Sequence, residues 1–287
     1  MSTDSTSSKA VLITGCSSGI GRATALHLAA RGHTVYASAR RPDSIADLEQ
    51  HGCRLLALDV TDETSRHEAV RAVEAEHGAV GVLVNNAGYS QSGAVESVPL
   101  DDVRRQFETN VFGLVRMCQL VLPAMRAQRW GRIVNVSSMG ANFTFPGGGF
   151  YHATKYAVEA ISDALRFEVK GFGIDVVIVQ PGLIRTSFGE AAASAVGQAE
   201  QDGPYTSFNA RVAQATRDIY VKGPARHLGG GPETVAKTIE RAITAKSPRI
   251  RYRVTPSARL LIGQRALLTD RMWDRLMTTQ FTRPGAE

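Results

Sequence analysis

Cysteine is scarce in this 287-residue chain, and the three that occur, Cys16, Cys53 and Cys118, lie far apart. An odd number with no CxxC pair and no Cys/His cluster gives no basis for a disulfide framework or a zinc site. That usage fits a reducing cytoplasm. None of the seven histidines stands at HxxxH spacing, so they read as scattered surface or structural residues and no metal is expected. No apolar run reaches the roughly 18 residues of a membrane span. Residues 1–9, mostly Ser and Thr, lack the apolar core of a signal peptide. Residues 1–8 read as a disordered lead-in.

Positive charge is in excess, with a formal net charge of +6, and much of it gathers near the end at Arg249, Arg251, Arg253, Arg259, Arg265, Arg271, Arg275 and Arg283. No nucleic-acid motif accompanies it, and nucleic acid is not an expected partner. An acidic ligand or a membrane surface would suit such a patch. The simpler reading is a solvated face whose arginine stems cover Leu260, Leu261, Leu267 and Leu268.

At 43% hydrophobic and 21% charged residues, the composition is that of a globular protein able to bury a large core. Seven short runs rich in Val, Ile and Leu predict strands at residues 10–14, 34–38, 54–58, 81–84, 132–136, 175–179 and 250–254. Amphipathic stretches between them predict helices at 19–31, 61–77 with Thr61 as N-cap, 100–128 with an interruption near Pro123, and 151–170 closed by Gly171 and Gly173. Continuously apolar strands alternating with helices indicate an α/β fold. It is a doubly wound parallel sheet of about seven strands, covered by helices on both faces, in a single domain. Residues 9–254 form its body, and residues 255–287 a basic helical extension. The least regular stretch, residues 186–231, follows the end of a strand and reads as a substrate lid.

After the first strand comes Thr14-Gly15-Cys16-Ser17-Ser18-Gly19-Ile20-Gly21. Glycines there permit a tight turn and let a phosphate approach the backbone. The following helix offers free N–H groups and the positive end of its dipole. The spacing is Gly-x3-Gly-x-Gly, neither the common G-x-G-x-x-G fingerprint nor a P-loop. The second strand ends Ser38-Ala39-Arg40-Arg41, with no acidic residue to accept from a ribose hydroxyl. An arginine there can fork a 2′-phosphate. NADP, as NADPH, is therefore the preferred cofactor and NAD the alternative.

Tyr151 and Lys155 stand four residues apart on one helix face. A neighbouring ammonium lowers a phenol pKa from near 10. The pair is common by chance, but its context is not. Gly15-x3-Gly19-x-Gly21, Asn85-Asn86-Ala87-Gly88, Asn110, Asn135-Val136-Ser137-Ser138, Tyr151-x3-Lys155 and Pro181-Gly182 follow in order. Over roughly residues 9–190 the chain resembles the short-chain dehydrogenase/reductase family. The likeness is to its hydroxysteroid- or retinol-dehydrogenase-like or ketoreductase-like members, with their Rossmann-like fold. The resemblance implies that Tyr151 exchanges the proton with the substrate oxygen and that Ser138 fixes that oxygen. Lys155 would hold the nicotinamide ribose and lower the tyrosine pKa, and Asn110 would carry a water of a proton relay. Ser17, Ser18 and Ile20 would join the glycines around the pyrophosphate. Asp59 and Val60 would meet the adenine, and Asn86, Ala87 and Gly88 the adenosine. Pro181, Gly182, Ile184 and Thr186 would border the nicotinamide. A homodimer or homotetramer is implied as well.

Tyr89, Met139, Phe143, Phe145 and Phe188 are candidate substrate walls, large and apolar enough for a hydrophobic ketone, aldehyde or alcohol. The activity expected is an NADP(H)-dependent interconversion of carbonyl and alcohol. One alternative is a 3-oxoacyl reductase acting on acyl chains. A non-catalytic NADP-binding sensor or scaffold is another, but it would be marked by loss of Tyr, Lys or Ser, and all three are present. Gly147–Gly149 suggest a flexible loop before Tyr151.

Overall fold

The computed structural model describes residues 7–196, 203–221, 227–281 and 283–285. Most of the expected lead-in, residues 1–6, lies outside them. Ser8 is tied in place: its N–H donates to Gln128 Oε1 at 2.9 Å and its hydroxyl to the Ala79 carbonyl at 2.7 Å.

Seven strands form one sheet: β1 (Val11–Ile13), β2 (Val35–Ala39), β3 (Cys53–Ala57), β4 (Val82–Asn85), β5 (Gly131–Val136), β6 (Ile174–Pro181) and β7 (Arg251–Val254). Their order is β3-β2-β1-β4-β5-β6-β7, and every neighbouring pair is parallel. Successive side chains point to opposite faces of a strand. Val82 and Val84 accordingly enter one core with Val134, Val136, Val177 and Val179. Leu83 enters the other with Ile133 and Val176. Helices α1 (Gly19–Ala30) and α8 (Pro232–Thr244) cover the first face. Helices α2 (Glu63–His77), α4 (Leu114–Ala127) and α5 (Gly149–Val169) cover the second. The chain leaves β1 for β2 and β3, then returns to β4 on the far side of β1. The reversal opens a crevice at the C-terminal ends of β1 and β4, where ligands of such sheets bind.

Several boundaries differ from the sequence reading. The cap of α2 is Asp62, not Thr61: its side chain accepts from Ser65 N–H at 2.6 Å. The stretch expected as one helix with a break at Pro123 does break, but earlier. Helix α3 (Leu100–Phe107) passes into a widened π turn at Glu108–Gly113 and then into α4, which holds Pro123 without ending. The segment expected to be irregular carries two helices, α6 (Phe188–Val196) and α7 (Thr206–Val221). Its residues 197–202 and 222–226 lie outside the described residues.

Beyond β7 the chain forms α9 (Pro256–Leu267) and α10 (Asp270–Thr278). They close a third cluster in which Ala258, Ile262, Trp273 and Met277 pack on Met139, Phe143 and Leu183. Of the four leucines expected beneath arginine stems, Leu261 and Leu268 pack against this cluster, whereas Leu260 is 55% and Leu267 86% exposed.

Candidate active site

The glycine turn is built by sterics. Gly15 and Gly19 have φ of +73° and +58°, a left-handed conformation open mainly to glycine. A methyl group at Gly15 would stand 2.9 Å from the Ala87 Cα, and one at Gly21 would strike the Gly15 carbonyl and the Asn86 amide. Asn86 ties β4 to this turn. Its Nδ2 donates to the Thr14 and Gly15 carbonyls at 2.9 and 3.0 Å, and its backbone N–H donates to the Thr14 hydroxyl at 3.0 Å. What remains is a shallow cradle at the start of α1, with Thr186 facing Gly19. Such a cradle fits a pyrophosphate.

Lys155 is buried, with its ammonium donating to the Val136 carbonyl at 2.9 Å. Burial brings its pKa down to about 8, against a smaller upward pull from Glu159. Its Nζ lies 5.8 Å from the centre of the Tyr151 ring. Ser138 starts a short 3-10 turn and accepts from Gly140 N–H at 3.0 Å, which leaves the hydroxyl proton to be donated elsewhere. Asn110 sits in the π turn, a feature frequent at functional sites. It donates to the Tyr89 carbonyl at 2.9 Å and to Thr154 Oγ1 at 3.1 Å, and accepts from Tyr89 N–H at 3.1 Å. Gly88 lies close beside it: a methyl group there would be 3.0 Å from Asn110 Oδ1 and 3.9 Å from Lys155 Nζ. A further polar chain fixes α5 against the sheet. Asn85 donates to Asn135 at 2.9 Å, and Asn135 to Ser162 at 2.8 Å.

One continuous cavity of about 1500 Å³ joins these parts. That exceeds the few hundred to 1,000 Å³ of a site for one small ligand, so there is room for a dinucleotide and a second molecule. Gly15, Ser17, Ser18, Gly19, Ile20, Arg40, Asp59, Val60, Asn86, Ala87 and Gly88 line one arm. Ser138, Tyr151, Lys155, Pro181, Gly182, Ile184 and Thr186 line the middle. Tyr89, Met139, Phe143, Phe145 and Phe188 are on the wall as well, and Phe188 packs on Tyr151 with ring centres 5.6 Å apart. Gly21 and Asn110 are not: each is buried behind the wall it supports.

The far arm is walled in part by Val212 and Ile219 of α7, inside the segment read as a substrate lid. Two contributions went unread in the sequence. The first is the rest of that wall, from α9, α10 and the residues just past it, through Leu261, Trp273, Met277 and Phe281. Trp273, Leu276, Met277 and Gln280 recur at helical spacing, which is the signal that could have found them. The second is His152. Its Nδ1–H donates to the Gly140 carbonyl at 2.6 Å and its Nε2 accepts from Phe145 N–H at 3.3 Å, a pattern that fixes the neutral tautomer. A methyl group at Gly148 would stand 2.8 Å from the ring, and Gly140 presses on its other side. The glycines at 147–149 therefore make room as well as bend. His152 thereby joins the Ser138 turn to the Phe145 wall. The cysteines take no part: burial pushes the Cys16 and Cys118 thiols up to about 12.

The family model described as short chain dehydrogenase matches residues 9–196. The chain belongs to that family. It is 36% identical over 91% of its length to the 3-ketodihydrosphingosine reductase of Bacteroides thetaiotaomicron, covering 94% of that protein. It is 34% identical over 92% of its length to the NADPH-dependent 3-dehydrocapnine reductase of Ornithobacterium rhinotracheale, again covering 94%. A solved serine dehydrogenase complexed with NADP+ superposes with a TM-score of 0.73 at 25% identity, covering 86% of this chain and 94% of that one. The short-chain dehydrogenase described here is thus a nicotinamide-dependent oxidoreductase working between carbonyls and alcohols.

His152 yields a stability prediction. Burial holds its pKa below the ordinary 6.5, with the Gly140 bond pulling the other way. Because the folded form resists the proton, His152 contributes stability that is present above pH 6.5 and lost as pH falls below it. His152→Ala should cost about 1–3 kcal/mol at pH 7.5 by leaving two buried backbone groups unpaired. The loss should shrink at pH 5 in urea melts, and an equal loss at both pH values would contradict this role.

Proposed function

We propose that this enzyme uses NADPH to reduce a ketone or aldehyde on a hydrophobic small molecule, with Tyr151 giving the proton to the carbonyl oxygen. The observation that carries the reading is the shared cavity. Tyr151, Ser138 and Lys155 line it together with the glycine turn and with the apolar Phe143, Phe145 and Phe188.

The residues suit a nicotinamide dinucleotide. The Gly15–Gly19 cradle and the start of α1 would hold the pyrophosphate. Asp59 and Val60 would border the adenine, and Pro181, Gly182 and Ile184 the nicotinamide. Arg40, exposed at the cavity edge, supplies the charge a 2′-phosphate needs, in place of the carboxylate an unphosphorylated ribose would favour. The NADP+ in the serine dehydrogenase and the NADPH named for the Ornithobacterium enzyme support that preference. Bound NADPH supplies the hydride.

The chain's own groups handle the oxygen and the proton. The Ser138 hydroxyl donates to the substrate oxygen and holds it near the Tyr151 phenol. Lys155, fixed by Val136, places a positive charge beside that phenol and favours the phenolate left once the proton has gone. A tyrosine so tuned is a workable acid near neutral pH. Asn110 holds Tyr89 and Thr154 in place and offers the site for a water that returns the proton. The walls at Phe143, Phe145 and Phe188 exclude water and favour an apolar substrate. An NADPH-oxidation screen over aliphatic, aromatic, steroid and acyl-thioester ketones would find it.

With such a substrate, Tyr151→Phe should lower turnover by roughly 10²–10⁴-fold while NADPH fluorescence titration still shows binding; turnover like the wild type would overturn the mechanism. Arg40→Asp should shift the NADPH-to-NADH preference by roughly tenfold or more toward NADH, as expected for losing charged hydrogen bonds. An unchanged ratio of kcat/KM values would remove Arg40 from the 2′-phosphate.

A further inference from the structure

The arginines and exposed aliphatic residues of the C-terminal hairpin have no part in the chemistry above. Helices α9 and α10 turn Ala258, Ile262, Trp273 and Met277 onto one buried cluster, so their opposite sides form one outer face. On it Leu267 is 86% exposed, Leu260 55% and Met272 47%. These residues start at the lip of the cavity. Leu260, Gln264 and Leu267 follow one another along a helical stripe, and Leu260 and Gln264 line the cavity. Met272 stands one turn from Leu276, which also lines it.

Positive charge predominates in this part of the chain. Residues 249–281 contain seven arginines, two aspartates and no other charged side chain. Two of the seven are committed: Arg251 pairs with Glu159 and Asp163, and Arg265 with Asp270. Arg249, Arg253, Arg259, Arg271 and Arg275 are exposed and enter no ion pair among the described residues, and the same holds for Asp274. Single aliphatic side chains set among unpaired guanidinium groups are poor material for a protein interface, whose core is depleted of charge. A second copy docked isologously would bring like charges together. An anionic lipid surface meets both needs, with headgroups for the arginines and the acyl boundary for the leucines.

We propose that the outer face of α9 and α10 docks on an anionic phospholipid bilayer, seating Leu260, Leu267 and Met272 at the headgroup boundary with the cavity lip against the membrane. The helices lie on the surface, for among the described residues no helix is long and apolar enough to cross it. An apolar substrate could then pass from bilayer to cavity without crossing water. The docking itself does not depend on which substrate is used or on the reaction proposed above.

The test is co-sedimentation of the full chain with vesicles of phosphatidylcholine alone or mixed with phosphatidylglycerol, at low and high salt. Binding should need phosphatidylglycerol and weaken with salt. Arg259→Gln/Arg271→Gln/Arg275→Gln and, separately, Leu267→Gln/Met272→Gln should each lower the partition coefficient by roughly tenfold or more. Unchanged NADPH binding would report that the variants are folded. No binding to either vesicle, equal binding to both, or undiminished binding by both variants would overturn the proposal. So would light scattering that shows a dimer lost in the variants without any vesicle binding.

Discussion

The Lys155 ammonium is buried at the C-terminal end of β5, where the Val136 carbonyl takes the place of water at 2.9 Å. A charge so placed is costly unless the fold gives it a fixed partner. It has one because α5 is pinned to the sheet through Asn85, Asn135 and Ser162, and because Gly88 leaves room beside Asn110. The same helix carries Tyr151 one turn earlier. The buried ammonium and the phenol are thus positioned by a single packed element. The glycine turn is held independently, through Asn86 and Thr14, and the two halves meet across the β1–β4 crevice.

Much of this was legible in the sequence, for reasons that differ by residue. The strands showed because a sheet covered on both faces needs continuous apolar runs. The glycine turn showed because Gly15 and Gly19 must adopt positive φ, which few other residues tolerate. Asn110 is a poor helix former inside a helical stretch, and the π turn accounts for it. The break was misassigned to Pro123 because proline is the louder local signal, yet the packing of α4 overrides it. Asp62 displaced Thr61 as the cap through a one-residue shift of a kind local pattern does not resolve.

The apolar arm was less legible, because its walls come from distant parts of the chain. Phe143 and Phe145 precede Tyr151 closely, whereas Trp273 and Phe281 arrive more than a hundred residues later. Nothing local joins them; the third core cluster does. No local pattern marks His152. Its meaning lies in Gly140 and Gly148, small residues whose missing side chains make its slot. The same ring braces the Ser138 turn and the Phe145 backbone, which couples that turn to the apolar wall.

The central claim is that Lys155 sets the acidity of Tyr151, and the pH profile of carbonyl reduction tests it most directly. Reduction needs the phenol protonated, so kcat/KM should fall at alkaline pH as Tyr151 ionises. In Lys155→Met that alkaline limb should move up toward the ordinary tyrosine value of about 10, with a lower rate on the plateau. An alkaline limb at the same pH in both proteins would contradict the account.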